Sequence, residues 1–478
     1  MRKEKDFLGE VSLPKDVLYG IHSYRACDNF SGRDIFQVEW YQAVGMVKLA
    51  CYQTYADFKS LALREYSEED IPITFMDDAV IQAMEEAASK VMKADYFEHF
   101  IIPAMQGGAG TSINMAVNEI ISNAALINLG RQPGEYQLID PIENANIYQS
   151  TNDVVPTALK IALMLLLKKL EEAVNNNRQS MEQLERKYGY VLRLAYTQLQ
   201  EAVPSTYGRL FAAYSDALSR DWWRISKCWE RIKVVNIGGG AIGTGLSVPR
   251  YFIMEVVKKL KDISCLPISR GENMGDVTSN MDSFVEVSAI LKAHAVNLEK
   301  IANDLRMLSA DISKTPLKIP RMQLGSSIMP AKVNPVIPEF IISICHKIYA
   351  NDQLISSLAS RSDLELNAYL PTIGHALLEN VQLLISADRS LKEKVLNGIE
   401  IDATHSEEAV YHSPAVCTAL SPYIGYNKAA KMAQLMKEKS LSIFEANEEL
   451  KALDMLQLQQ LMKPEKLTQL GFSIKDLL

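Results

Sequence analysis

The chain carries 478 residues, 48% of them hydrophobic and 23% charged, with a formal net charge of −8. That length can bury a large core and points to about two to four domains. The acidic balance argues against a nucleic-acid or anionic-membrane partner, either of which would favour a basic face.

The opening residues, Met1-Arg2-Lys3-Glu4-Lys5-Asp6, lead into no apolar segment, so no secretory signal is expected. The longest wholly apolar run, Ile161 to Leu167, is far too short for a membrane span, and a soluble, cytoplasmic protein is expected. Cys27, Cys51, Cys228, Cys265, Cys345 and Cys417 are scattered, with no C-x-x-C pair and no histidine at metal spacing. They read as reduced and mostly buried small hydrophobes, and no metal site is expected.

Residues 1–148 mix short helices with loops rich in Gly and Asn. Within them, Gly107-Gly108-Ala109-Gly110 precedes Thr111-Ser112-Ile113-Asn114. Glycines before a helix leave N–H groups free, and Thr111 or Ser112 can cap, so the segment suits an anion cradle. It equally suits an ordinary Gly-rich turn. Next, Gln149-Ser150-Thr151-Asn152-Asp153 leads through Pro156 into a long helix. A helix start explains such residues, yet three adjacent donors exceed what a cap needs.

That helix shows a seam in steps of four and three: Leu163, Leu167, Leu170, Val174, Asn177, Met181, Leu184 and Tyr188. Asn177, a lone polar residue on the seam, is a candidate for setting register. Thr197 and Gln198 read as polar residues near the end of a long helix stopped by Pro204, and a third helix is expected from about Arg209 to Val235. Gly238-Gly239-Gly240-Ala241-Ile242-Gly243 matches G-x-G-x-x-G, but the stretch before it reads as helix and Pro249 interrupts the stretch after it. A tight turn between helices is expected there instead of a dinucleotide site.

A second seam comprises Val287, Leu291, His294, Leu298, Ile301, Leu305 and Leu308. His294 reads as a core histidine bonded to a neighbour, the alternative being a ligand or base. Strand-like alternation is scarce, so the chain is expected to be all-α, with unusually long helices in its middle. Soft boundaries near residues 148 and 400 divide it into 1–148, a central 149–400 and a small helical 401–478, broken at Pro414, Pro422 and Pro464.

The most informative stretch is Gly325-Ser326-Ser327-Ile328-Met329-Pro330-Ala331-Lys332-Val333-Asn334-Pro335. A flexible Gly-Ser-Ser start can offer backbone N–H groups, and two prolines stiffen the second half. Lys332 and Asn334 are thereby presented to an anion, as suits an enzyme that holds a carboxylate and removes a proton beside it.

Together these clusters resemble the aspartase/fumarase superfamily over nearly the whole chain, and its aspartase branch more narrowly. The resemblance runs through Tyr19-Gly20-Ile21-His22, residues 106–115, 149–153, 197–200 and 241–245, and the loop 325–339. Ala331 and Val336-Ile337-Pro338-Glu339 are similar to aspartases, since fumarases usually carry Gly and then a different polar run. The resemblance implies a three-domain fold with a central bundle of long helices and a homotetramer whose sites are shared between subunits. It implies a cofactor-free lyase with a small-molecule substrate, eliminating ammonia from L-aspartate to give fumarate through an aci-carboxylate. By position, Ser326 is implied as the general base. Lys332 and Asn334 are implied carboxylate binders, with Thr111, Ser150, Thr151, Asn152, Thr197 and Gln198 also in the substrate site. Gln198 stands where fumarases carry His, which favours an ammonia-lyase over the alternatives, a fumarase or another fumarate-releasing lyase. A non-catalytic scaffold is disfavoured by the intact loop. Leu370 stands where relatives usually carry a charged residue, and Ile312–Leu324 departs from the usual aspartase pattern.

Overall fold

The structure is a computed structural model that describes residues 1–477 apart from 33 and 314. Position 314, inside the divergent Ile312–Leu324 segment, therefore lies outside the described residues. Helices dominate: α1 (Ile21–Asn29), α2 (Val38–Glu65), α3 (Asp78–Met92), α4 (Thr111–Asn128), α5 (Thr151–Lys187), α6 (Tyr207–Ile225), α7 (Cys228–Ile232), α8 (Arg250–Ser264), α9 (Met274–Ser279), α10 (Asp282–Leu308), α11 (Val336–Ala359), α12 (Leu370–Lys394) and α13 (Ala403–His412), followed by shorter C-terminal helices. Among the described residues, β-structure is confined to small two-stranded sheets, including β1 (Arg2–Asp6) with β2 (Gly9–Leu13) and β3 (Leu192–Thr197) with β4 (Gln200–Thr206), both antiparallel. The all-α expectation holds. No helix among the described residues is long and apolar enough to cross a membrane.

The chain packs into two units. One comprises Met1–Leu170, Arg224–Lys292 and Lys347–Leu383. Here α2 lies against α3 and α8, and α3 against α4. Trp40, Tyr41, Tyr52 and Met84 are wholly buried, and complete burial of one large apolar side chain contributes about 1.5–3 kcal/mol. Phe36 stacks on Trp40 at 5.1 Å, and the Trp40 indole donates to the Val155 carbonyl at 3.2 Å. The unexpected Leu370 opens α12 and is 3% exposed, so its apolar side chain serves the core.

The other unit comprises Glu171–Trp223, Ala293–His346 and Leu384–Leu478. Its C-terminal core gathers Leu192 and Leu194 from β3, Val410 from α13, and Met432 and Ile443 from later helices. All positions of both heptad-like seams are buried, from Leu163 to Tyr188 and from Val287 to Leu308. Asn177 donates to the backbone carbonyl of Asp388 at 3.0 Å and to its carboxylate at 2.7 Å. His294 is the bonded core histidine its position implied. Its Nδ1 lies 3.0 Å from Asp221 and its Nε2 2.9 Å from Asp388. All six cysteines are free, four of them buried and Cys27 and Cys265 exposed.

Two sequence expectations need correction. Thr197 and Gln198 do not end a helix; they belong to the β3–β4 hairpin. Gln198 and Leu199 sit at φ +53° and +61°, the left-handed pair that a two-residue type I′ turn requires. Pro204 does not stop a helix but lies in β4 opposite Leu194, beside a register shift between Leu194 and Tyr196, a place where a missing N–H is tolerated. The helix expected over Arg209–Val235 is broken into α6 and α7, and Val234–Val235 forms a short parallel strand with Ser269–Arg270.

Candidate active site

The N-terminus of α5 is the most organised polar region of the first unit. Ser150 precedes the helix, and its carbonyl accepts from the Val154 N–H at 3.0 Å. Its hydroxyl oxygen accepts from the Asn152 N–H at 3.2 Å, while the Asp153 carboxylate accepts from the Ser150 N–H at 2.9 Å. Asp153, at the third helical position, thus reaches back to the Ser150 N–H as in a capping box, while the Ser150 hydroxyl takes the N–H of the second position. The other Asp153 oxygen accepts from Gly238 N–H at 3.2 Å and Gly240 N–H at 2.9 Å. The G-x-G-x-x-G segment is therefore a turn whose anion cradle is filled by the chain's own carboxylate. It follows a two-residue strand, not the helix expected there.

Pro156 has no N–H to give to the Asn152 carbonyl one turn back. Asn236 fills that vacancy, donating its amide to Asn152 O at 2.9 Å. The Asn152 side chain in turn donates to the Ala241 carbonyl at 2.8 Å. Asp153 is fully buried, and burial pushes its carboxyl up to about 7. Replacement by Asn is expected to set an amide N–H₂ against at least one of the three backbone donors. An unsatisfied buried donor costs about 1–3 kcal/mol, so Asp153→Asn should lower the urea unfolding midpoint correspondingly. An unchanged midpoint would show that the carboxylate does not clasp both segments.

The Gly-rich segment ends at Gly110, which precedes α4 at φ +94°. An added Cβ there would lie 2.9 Å from Val155 Cγ1, so both conformation and space require glycine. Neither Thr111 nor Ser112 caps α4 as expected. The exposed Thr111 instead donates its hydroxyl back to Gly108 O at 2.9 Å. Behind these segments lies a network that sequence reasoning missed. Asn146 Oδ1 accepts from Lys48 Nζ at 3.3 Å, Asn114 Nδ2 at 2.9 Å and Asn118 Nδ2 at 3.2 Å. Asn114 Nδ2 also reaches Thr151 Oγ1 at 3.4 Å. Lys48 is fully buried, and burial pulls its ammonium down to about 7. A lysine inside the apolar run Val44–Ala50 was the available signal. The Ser150 and Thr151 hydroxyls each receive a hydrogen bond and so retain their own O–H to give. Glu119, also missed, is buried and accepts from the N–H groups of Gly20, His22 and Ser23, holding the start of α1.

In the second unit, the loop from Gly325 to Asn334 is tied at its ends. The Gly325 N–H donates to Lys332 O at 2.8 Å, and Asn334 Nδ2 donates to Gly325 O at 2.9 Å. A Cβ on Gly325 would meet Asn334 N at 2.7 Å, so only glycine permits this closure. The Ser326 hydroxyl oxygen accepts two backbone N–H groups, from Ile328 at 3.2 Å and Met329 at 2.9 Å. Ala331 is held at φ +63°, an unfavourable left-handed conformation for a residue with a Cβ. Lys332 is exposed and forms no ion pair among the described residues. Thr197 and Gln198 are also exposed at the hairpin turn. Among the described residues, no hydrogen bond joins that turn to the loop. Thus Thr111, Ser150, Thr151 and Asn152 lie in the first unit, and Thr197, Gln198, Ser326, Lys332 and Asn334 in the second.

A family profile described as "Lyase" matches residues 9–350, and one described as "Fumarase C C-terminus" matches residues 416–469. Aspartate ammonia-lyase of Bacillus subtilis is 36% identical over 481 residues, spanning 100% of this chain and 98% of the relative. Aspartate ammonia-lyase of Escherichia coli K12 is 36% identical over 475 residues, spanning 97% and 96%. Among solved structures, a fumarate lyase:delta crystallin of Brucella melitensis superposes with a TM-score of 0.89 at 34% identity, covering 97% of this chain and 98% of that one. A class II fumarase of Schistosoma mansoni gives 0.87 at 26% identity, with the same coverage of both chains.

Proposed function

This chain belongs to the aspartase/fumarase family of lyases and is a carbon–nitrogen lyase, and we propose that its reaction is the reversible elimination of ammonia from L-aspartate to give fumarate. The observation that carries the substrate is the end-to-end likeness to aspartate ammonia-lyases. Gln198 supports it, because an amide cannot serve as the titrating group that His supplies in fumarases.

In the proposed mechanism Ser326, as alkoxide, removes a proton from C3 of L-aspartate. The electron pair moves into the adjacent carboxylate, giving an aci-carboxylate dianion. Collapse of that dianion forms the C2–C3 double bond and breaks the C2–N bond, so the ammonium nitrogen leaves as ammonia. Serine is a weak base unless its alkoxide is stabilised. The two N–H groups directed at Ser326 Oγ support this role, since hydrogen bonds to the charged form favour it. Lys332 neutralises developing charge. Thr111, Ser150, Thr151, Asn152, Thr197, Gln198 and Asn334 act as further substrate donors, each aimed donor being worth about 3–4 kcal/mol to such a transition state. The protein acts as a homotetramer, with donors contributed by different protomers, and closure of the 325–334 loop excludes water. The chemistry calls for no organic cofactor or metal.

The test monitors the ultraviolet absorbance of fumarate after L-aspartate, L-malate or argininosuccinate is added separately. Fumarate should accumulate with L-aspartate, matched mole for mole by ammonia. A signal from malate alone would replace the ammonia-lyase with a fumarase, and silence with all three would leave a non-catalytic protein.

A further inference from the structure

A polar cavity lies wholly within the second unit, beside the base of the β3–β4 hairpin. It has a volume of about 260 Å³ and is lined by Arg193, Glu201, Tyr207, Ser406, His412 and Ser413 among others. This space equals several water molecules at about 30 Å³ each. Its back wall is unusual. Arg193, near the start of β3, is only 8% exposed, yet its guanidinium makes no hydrogen bond or ion pair among the described residues, and Nε is orphaned. The guanidinium lies over the face of the Tyr207 ring, 5.6 Å from the centroid.

Tyr207 opens α6 and is itself fully buried, with a hydroxyl that has no hydrogen-bond partner. Burial holds that phenol up to about 12; Ser406 stands near enough to ease the rise without reaching hydrogen-bonding geometry. The Tyr207 hydroxyl therefore remains a donor at neutral pH. Buried arginines are nearly always paired, because an uncompensated charge away from water is costly. Here a cation and a donor, both without a partner among the described residues, adjoin one cavity. The nearest carboxylate on the wall, Glu201, is exposed and accepts from Ser413 Oγ at 2.7 Å.

We propose that this cavity is a binding site for a small oxyanion, a carboxylate or phosphate group held by the Arg193 guanidinium and the Tyr207 hydroxyl. The fork of guanidinium donors matches either group in geometry. Strand β3 carries Arg193 and, past the register shift between Leu194 and Tyr196, ends at Thr197, so occupancy braces the hairpin turn; the effect on catalysis rests on the assignment of Thr197 and Gln198 to substrate, whereas binding does not.

The test is calorimetric titration of the isolated full-length protein with inorganic phosphate, repeated with acetate to separate the two ligand classes. One site per chain that persists in Lys332→Ala is expected. Arg193→Met should weaken binding at least tenfold and Tyr207→Phe severalfold, while Lys332→Ala, altered in the proposed substrate site, should bind as the parent does. If Arg193→Met fails to fold, Tyr207→Phe and Arg193→Lys carry the comparison. The proposal is overturned if neither anion binds the parent, if Arg193→Met binds equally well, or if Lys332→Ala abolishes binding. Turnover is not read, so failure here leaves the ammonia-lyase assignment standing, and failure of that assignment leaves this one.

Discussion

Ser326→Ala is expected to lower kcat by about 10²–10⁴-fold, the range typical of losing a positioned base, with little change in KM. The substituted side chain is small and only half-buried, in a loop that is mostly exposed, so it contributes little packing. The Ile328 and Met329 N–H groups that Ser326 Oγ receives can turn to water when the oxygen is removed. Stability should therefore move by less than about 0.5 kcal/mol, and the loss can be read as chemistry. Lys332→Ala is the contrasting case. A cation that grips the ground-state carboxylate and also the dianion contributes to both parameters, so KM should rise while kcat falls. Steady-state fumarate formation by both variants, beside their unfolding curves, separates the roles. Turnover of Ser326→Ala within about threefold of the parent would show that another group takes the proton, since a lost base costs far more.

The largest expected stability effect lies at His294. Its ring is wholly buried between Asp221 and Asp388. Burial pulls the imidazole pKa down, but the charges and hydrogen bonds of Asp388 and Asp221 outweigh that and raise it to about 10. His294→Leu strands two buried carboxylates, and breaking a buried ion pair in this way costs about 3–5 kcal/mol. The cost should depend on pH. A histidine whose folded pKa stands above its unfolded value of about 6.5 stabilises fully below pH 6.5 and loses that contribution as pH rises through the folded value. The gap in unfolding midpoint between parent and variant should thus be widest near pH 6 and narrow steadily toward pH 10. A gap that is constant across that range would mean the ring is neutral in the native state.

Both seams could be read from sequence because helical burial repeats every three or four residues, and Leu163 to Tyr188 and Val287 to Leu308 keep that period without interruption. Their polar members, Asn177 and His294, declared themselves by interrupting an apolar stripe. The β3–β4 hairpin did not. Its turn residues, Gln198 and Leu199, adopt positive φ without the Asn-Gly or Asp-Gly pair that usually announces such a turn, and the polar run around them resembles a solvated helix end. The Ser326 loop was visible as an unusual local composition. Its supporting parts were not, because the Asp153 clasp joins residues more than eighty positions apart and the Lys48–Asn146 bond about a hundred. Spacing along a chain carries no trace of such pairings. The cavity at Arg193 was hidden for the same reason: it forms only where a strand, a helix start and C-terminal helices meet.

The polar knot inside the second unit has a further implication for protein engineering. Asn177, Asp221, His294 and Asp388 come from α5, α6, α10 and α12, one from each helix. A chimera that imports any one of these helices from a distant relative leaves that side chain's partners behind in the donor and faces it with host residues matched to the one it replaced. The four segments are therefore best exchanged together, and recombination breakpoints are better placed outside all of them than within any one.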